Sequence, residues 1–316
     1  MFKDAKIYVA GHTGLLGSAL LKSLAAGVYT NVITRTHAEL DLACQDTVDA
    51  FFAIERPEYV FLCAGLTGGI HANKTYPATF LQTNVSIQSN VFEAAQRYEV
   101  KHLIFYGSSC VYPKNSPQPM KEEDILTGEI EATSEAYAIA KMAGIIGCRS
   151  FNSQFKINRF IALLPNSMYG PHDNFDTDNS HVLSALIGKF HEAKVAGKNQ
   201  VVLWGSGKPR REFIFSEDVA DASIFAMKNA SKLQNSHYNL GTGIDYSIRE
   251  LAEIVAEIVG FEGEISWDTT KPDGTLCKLL DSSKFLALGW KPSITLKQGL
   301  ANTYLWFRES LLYEKG

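Results

Sequence analysis

The feature that most constrains this chain lies at its start. Ala5 to Ala10 (AKIYVA) is a short run of β-branched, aromatic and small residues, the composition of a buried parallel strand. Gly11-His12-Thr13-Gly14-Leu15-Leu16-Gly17 follows at once, and Ser18 to Ala25 then carries leucines at helical spacing. A GxxGxxG loop between a strand and a helix has a mechanical reading. Gly11 permits the tight turn, Gly14 lets the backbone approach a pyrophosphate, and Gly17 lets the helix pack on the strand. The helix N-terminus then offers free N–H groups and a favourable dipole to the phosphates. The pattern predicts a dinucleotide site.

The rhythm downstream agrees. Strand-like segments at Asn31–Thr34, Tyr59–Cys63, Lys101–Tyr106 and Asn158–Leu164 alternate with helical ones at Val48–Ile54, Thr83–Tyr98 and Ser134–Phe151. That alternation predicts an α/β Rossmann fold, a doubly wound parallel sheet with right-handed crossovers. After Leu164 the rhythm changes. Pro165 to Asn179 reads as a loop, Ser180–Ala196 as a helix, Gln200–Trp204 and Arg211–Phe215 as short strands around a turn, Glu217–Asn229 as a helix and His237–Leu240 as a strand. Ser247–Val259 reads as a helix with a capping box from Ser247 and Glu250. Glu264–Trp267 and a closing helix from Thr295 complete a smaller, interleaved α/β substrate domain. The expected division is 1–165 plus 212–243 for the dinucleotide domain and 166–211 plus 244–316 for its companion.

Bulk properties exclude several function classes. Formal net charge is −4 and the chain shows no basic stripe, which argues against nucleic acid as a partner. No apolar run spans a bilayer and the N-terminus lacks a signal-peptide pattern, so a cytoplasmic protein is expected. The 5 cysteines, Cys44, Cys63, Cys110, Cys148 and Cys277, form no CxxC pair, so neither a disulfide framework nor a metal site is expected.

The ribose end of a nicotinamide cofactor is read after the second strand, where this chain has Thr34-Arg35-Thr36-His37. A cation there accommodates a 2′-phosphate, so Arg35 favours NADP(H) over NAD. A solvated surface arginine is the bland alternative. Asp41 either meets the adenine or caps a helix. Tyr137 and Lys141 stand at i and i+4 of a helical segment and share a face. A nearby ammonium is expected to lower the phenol's pKa and make Tyr137 a usable proton donor. Ser108 and Ser109 end the fourth strand, at the sheet edge where such folds bind ligands, so a serine hydroxyl there can bond a substrate carbonyl. If the backbone stays extended, Cys110 faces the same cavity as Ser108.

These motifs resemble the extended short-chain dehydrogenase/reductase family over the whole chain. The resemblance is carried by GHTGLLGSAL, RTHAELDL, GGIHANKTYPATF, GSSCVYPK, YAIAKMAG, YGPHDNF, NSHVL, WGSGKPRREF and KPDGT. Within the family these segments match the group that epimerises and reduces GDP-4-keto-6-deoxy sugars with NADPH. The resemblance implies that Cys110 and His181 are the acid/base pair of epimerisation. It implies that Ser108, Tyr137 and Lys141 serve reduction, with Lys141 also holding the cofactor ribose. Cofactor contacts fall on Gly11, Thr13, Gly14, Leu15, Leu16, Gly17, Arg35, Asp41 and Ala64, and substrate contacts on Ser109, Asn166, Lys189, Trp204, Arg211 and Lys278. Trp204 would lie beside the nucleotide, while Arg211 and Lys278 would neutralise the diphosphate. The GDP-linked sugar is the implied partner, and a homodimer packed through the Thr83–Tyr98 and Tyr137-bearing helices the implied assembly. The chain departs from the group at Leu66 and Thr67, Ser167, Ser134, and at Thr13 and Cys277, where relatives often carry arginine. Those changes leave reduction intact and open the sugar identity to a related 3,6-dideoxyhexose or 6-deoxyheptose.

Overall fold

The computed structural model describes residues 1–176, 180–234, 237–271 and 273–313. Asn179 of the NSHV segment lies outside them. The first half alternates as its sequence predicts: β1 (Ile7–Ala10), α1 (Leu15–Ala26), β2 (Val32–Ile33), α2 (Gln45–Glu55), β3 (Tyr59–Leu62), α3 (Ile70–Thr75), α4 (Pro77–Arg97), β4 (His102–Tyr106), α5 (Glu135–Phe155) and β5 (Phe160–Pro165). The second half runs β6 (Ser167–Tyr169), α6 (Val182–Val195), β7 (Gln200–Trp204), β8 (Arg210–Phe215), α7 (Ser216–Lys228), β9 (Tyr238–Leu240), β10 (Asp245–Ser247), α8 (Ile248–Val259), β11 (Glu264–Asp268), β12 (Cys277–Lys278), α9 (Ser283–Leu286) and α10 (Leu296–Tyr313).

Six strands form one parallel sheet in the order β2-β1-β3-β4-β5-β9. Its strands are apolar on both faces because helices cover both. Ile7, Val9, Phe61 and Ile104 pack with α1 and α7 on one side, and Tyr8, Val60, Leu103 and Phe105 pack with α2, α4 and α5 on the other. The order reverses between β1 and β3, so a ligand crevice opens where those strands end. A second apolar core joins α6, α8 and α10 to Leu203, Phe213 and Phe215. The capping box of α8 forms as expected: Glu250 N–H donates to Ser247 Oγ at 3.1 Å and Ser247 N–H to Glu250 Oε2 at 2.6 Å.

Two sequence expectations need correction. Pro165 to Asn179 is not all loop, since Ser167–Tyr169 forms β6 beside β8. Three residues are too few for an alternating pattern to show. The boundary at 212 also falls inside β8, which pairs with β6, β10 and β12 rather than with the main sheet. Ile214 faces one core and Phe213 and Phe215 the other, so β8 stitches the two together.

Candidate active site

The glycine loop sits at the reversal point. Gly11 has φ +78°, and a Cβ there would lie 2.7 Å from Ala64 N at the end of β3. At Gly17 a Cβ would lie 2.1 Å from Gly11 O, so only glycine lets α1 approach the turn. Gly14 is different: its Cβ would meet Gly11 O alone, at 3.7 Å. The protein thus leaves that side open, as a cradle for phosphate requires. Thr13 is exposed, Leu15 half-buried and Leu16 buried in the α1 core.

Arg35, just beyond β2, is not a loose surface residue. Its Nη2 pairs with Glu55 Oε1 at 2.6 Å, its Nη1 donates to Thr34 O at 2.7 Å, and its guanidinium lies over the Phe51 ring. Glu39, the first acid after it, is turned onto Thr36 N–H and Oγ1. Asp41 is exposed and accepts from Ala43 N–H at 2.9 Å, a local turn and not the cap of α2, whose N-cap is Cys44.

At the end of β4 the backbone does not stay extended. Ser109–Val111 is a turn of 3-10 helix, and Ser108 Oγ accepts from Cys110 N–H at 3.4 Å. The alternation argument for Cys110 therefore fails, yet the tight turn folds Cys110 back beside Ser108. The Ser108 side chain stands beside both the Cys110 thiol and the Tyr137 phenol and favours the ionised form of each. Burial raises the Cys110 thiol pKa, opposed by Ser108 and by the ammonium groups of Lys278 and Lys141.

The phenol of Tyr137 is held well above its ordinary range by burial and by Cys110, with Ser108 opposing. The expected lowering by Lys141 is not found: burial and Cys110 push the phenol up, and Ser108 alone acts against them. Lys141 Nζ lies 5.8 Å from the Tyr137 ring centroid and donates to Tyr106 O at 2.9 Å. Lys141 is itself only 7% exposed, and burial brings its pKa down to about 8. Sequence reasoning missed Asn84 on α4. Its amide clasps Leu66, donating to Leu66 O and accepting from Leu66 N–H, each at 3.0 Å. That fixes Gly65 against Lys141, since a Cβ on Gly65 would lie 3.6 Å from Lys141 Nζ. The available signal was a polar residue in the buried register of an amphipathic helix.

The remaining residues divide between an exposed rim and a buried wall. Trp204 ends β7 and is 69% exposed, so it is no core tryptophan; Lys189 Nζ and Lys271 Nζ each stand 5.5 Å from its ring centroid. Arg211 and Lys278 are register partners on β8 and β12, and burial lowers the pKa of both. Lys278 interacts electrostatically with Cys110 and with Arg211, which links the rim to the β4 turn. Ser109 and Cys110 line one small pocket with Lys278 and Cys277. Asn166 is 3% exposed with its amide already engaged, donating to Glu212 Oε2 at 2.5 Å and accepting from Ser167 N–H at 3.0 Å. His181 is exposed at the N-cap of α6, in the field of the Asp173 carboxylate and not packed on Cys110. The structure thus gathers Ser108, Cys110, Tyr137, Lys141 and Lys278 and leaves His181 and Trp204 outside that cluster. Among the described residues no group of His, Cys, Asp and Glu could hold a metal, and no helix is long and apolar enough to cross a membrane.

Known proteins resemble this chain over nearly its whole length. The chain is 52% identical over 313 residues to the putative GDP-L-fucose synthase 2 of Arabidopsis thaliana, covering 99% of this chain and 94% of that protein. It is 46% identical over 312 residues to the GDP-L-fucose synthase of Escherichia coli, covering 96% and 97%. Among solved structures, the NADP-bound GDP-mannoheptose C4 reductase of Campylobacter jejuni superposes with a TM-score of 0.88 at 42% identity, covering 98% and 99%. The model of the NAD dependent epimerase/dehydratase family matches residues 7–241, and the chain belongs to that family.

Proposed function

We propose that this chain is an NADPH-dependent 3,5-epimerase and 4-reductase that converts GDP-4-keto-6-deoxy-D-mannose to GDP-L-fucose. The observation that carries the reading is the Ser108, Cys110, Tyr137 and Lys141 cluster at the carboxyl edge of the sheet, beside a glycine cradle that is open only at Gly14. The full-length relatives supply the substrate class.

The residues fit the cofactor. The open Gly14 side would receive the pyrophosphate at the start of α1, and Arg35, braced by Glu55, would meet the 2′-phosphate. When bound, NADPH supplies a hydride to C4 of the ketone. Ser108 and Tyr137 hydroxyls donate to the C4 carbonyl oxygen and stabilise the enolate that forms when a proton leaves C3 or C5. Cys110 and His181 exchange those protons. Tyr137 then gives its proton to the C4 oxygen, and the Lys141 charge compensates the phenolate left behind. Arg211 and Lys278 hold the diphosphate, with Lys189 and Trp204 at the nucleotide rim. The main sheet and its glycine loop serve the cofactor, and the small sheet built around β8 with α6, α8 and α10 serves the sugar nucleotide. The enzyme works in the cytoplasm as a homodimer packed through α4 and α5, on which Leu81, Val85 and Ile139 are exposed apolar residues.

A second reading, C4 reduction of a related GDP-heptose without full epimerisation, is favoured by the exposed position of His181 and by the C4 reductase likeness. Incubation with NADPH and the 4-keto substrate in deuterated water, followed by NMR, separates the two. GDP-L-fucose with deuterium at C3 and C5 is the expected product. NADPH oxidation without that label leaves a reductase only, and no turnover ends the first reading.

A further inference from the structure

Glu212 lies in β8 directly between Arg211 and the apolar Phe213, and it is 0% exposed. A carboxylate so placed needs several donors to offset its lost hydration. Here every partner is an N–H. Oε2 accepts from Asn166 Nδ2 at 2.5 Å and from Leu280 N–H at 3.0 Å. Oε1 accepts from Gly243 N–H at 2.7 Å, and the Thr242 N–H also faces the carboxylate. A Cβ on Gly241 would lie 2.3 Å from Oε1, so the turn leaving β9 wraps closely around this one group.

The donors come from three separate places. Asn166 follows β5, and its own N–H donates to Leu240 O at 3.0 Å, at the far edge of the main sheet. Thr242 and Gly243 follow β9. Leu280 follows β12, a strand of two residues that meets β8 through only the Cys277–Arg210 and Lys278–Arg211 pairs. Two register pairs hold a strand weakly. The position of Lys278 is reinforced from beyond the strand, by Leu280 on Glu212, and from its own carbonyl, which Asn166 Nδ2 reaches at 3.5 Å.

We propose that Glu212 is a positioning residue that sets Lys278 and Arg211 relative to Cys110, so that the diphosphate of the substrate is held at a fixed distance from the β4 turn. The inference rests on the reading of Arg211 and Lys278 as diphosphate ligands. It assigns Asn166 a bracing place in the same network instead of direct substrate contact.

The test is selective loss of one ligand. Glu212→Gln keeps the shape but sets an amide NH2 against N–H donors on one side of the carboxyl position. Binding of GDP by calorimetry and of NADPH by fluorescence is compared with wild type. The expected result is GDP affinity weakened about tenfold or more with NADPH affinity within about twofold, since the glycine loop takes no part in the network. The double variant Asn166→Asp with Glu212→Gln restores a donor–acceptor pair at that contact, and is expected to regain at least about threefold of the loss. Equal weakening of both ligands, unchanged GDP affinity, or no rescue overturns the proposal. Should Glu212→Gln not fold, Asn166→Ala removes one brace, and unchanged GDP affinity there is equally fatal. A wild-type protein that binds NADPH but no GDP refutes the functional reading itself, and the inference falls with it.

Discussion

The inner and outer ends of the site are built on different physics. At the sheet edge Lys141 is buried and Tyr137 and Cys110 are half-buried, and burial is the first cause of every shifted pKa there. At the rim, Trp204 is 69% exposed, with the ammonium groups of half-buried Lys189 and exposed Lys271 each 5.5 Å from its ring centroid. The inner end is the more buried, so removing one of its groups is expected to change rates by orders of magnitude. The outer end works through contact area and screened charge, so its losses are graded.

The largest expected effect follows from the inner end. Tyr137→Phe removes the proton donor and leaves the ring, with its edge contact to Phe80, in place. Turnover is expected to fall by ~10² to 10⁴ with an unchanged melting temperature. Near wild-type reduction by this variant would remove the inner end's chemical role.

Next comes a pair of substitutions in the glycine loop that should behave oppositely. Gly17→Ala drives a Cβ to 2.1 Å from Gly11 O, which forces α1 off the turn; a fall of several degrees in melting temperature is expected, together with loss of NADPH binding. Gly14→Ala meets the protein only at 3.7 Å, so its fold should hold while NADPH affinity drops by ~10-fold or more. If Gly14→Ala binds NADPH normally, the open side of the loop is not a phosphate cradle.

These two ends were also unequally legible in the sequence. The glycine loop could be read because each of its steric demands falls on one residue type. Alternation of apolar strands and helices likewise revealed the main sheet. The small sheet could not be read that way, since β6, β10 and β12 are two or three residues long. Ser108 and Cys110 were placed together by an extended backbone that does not exist; the 3-10 turn that does the work leaves no periodic mark. Glu212 was invisible as a hub because an acid beside two arginines reads as a surface charge. Only its burial shows otherwise.

A third, smaller effect is a pH dependence carried by Lys141. Its folded pKa of about 8 lies below the ordinary 10.5. Between those values the unfolded chain binds a proton that the folded chain does not, so this group makes stability rise with pH across that window. The slope is at most ~1.4 kcal/mol per pH unit and should vanish in Lys141→Met. Activity should move the other way, with kcat/KM falling up to about tenfold per unit above pH 8 as the charge beside Tyr137 is lost. Chemical unfolding and kinetics from pH 7 to 10 measure both. A variant that kept the wild-type slope would show that the ammonium is not the titrating group.

The smallest effect belongs to the rim. Trp204→Ala exposes no core, so melting temperature should stay within about a degree of wild type. Stacking and cation–π contacts at an exposed ring are worth ~1 kcal/mol, which is roughly a fivefold rise in KM for the sugar nucleotide at unchanged kcat. Lys189→Ala should give a similar rise that shrinks in 0.5 M salt, because the half-exposed Lys189 charge is partly screened. Should Trp204→Ala instead lower kcat by a hundredfold with KM unchanged, the rim would be acting on the reacting carbons, and the division between a buried chemical end and a graded outer grip would have to be abandoned.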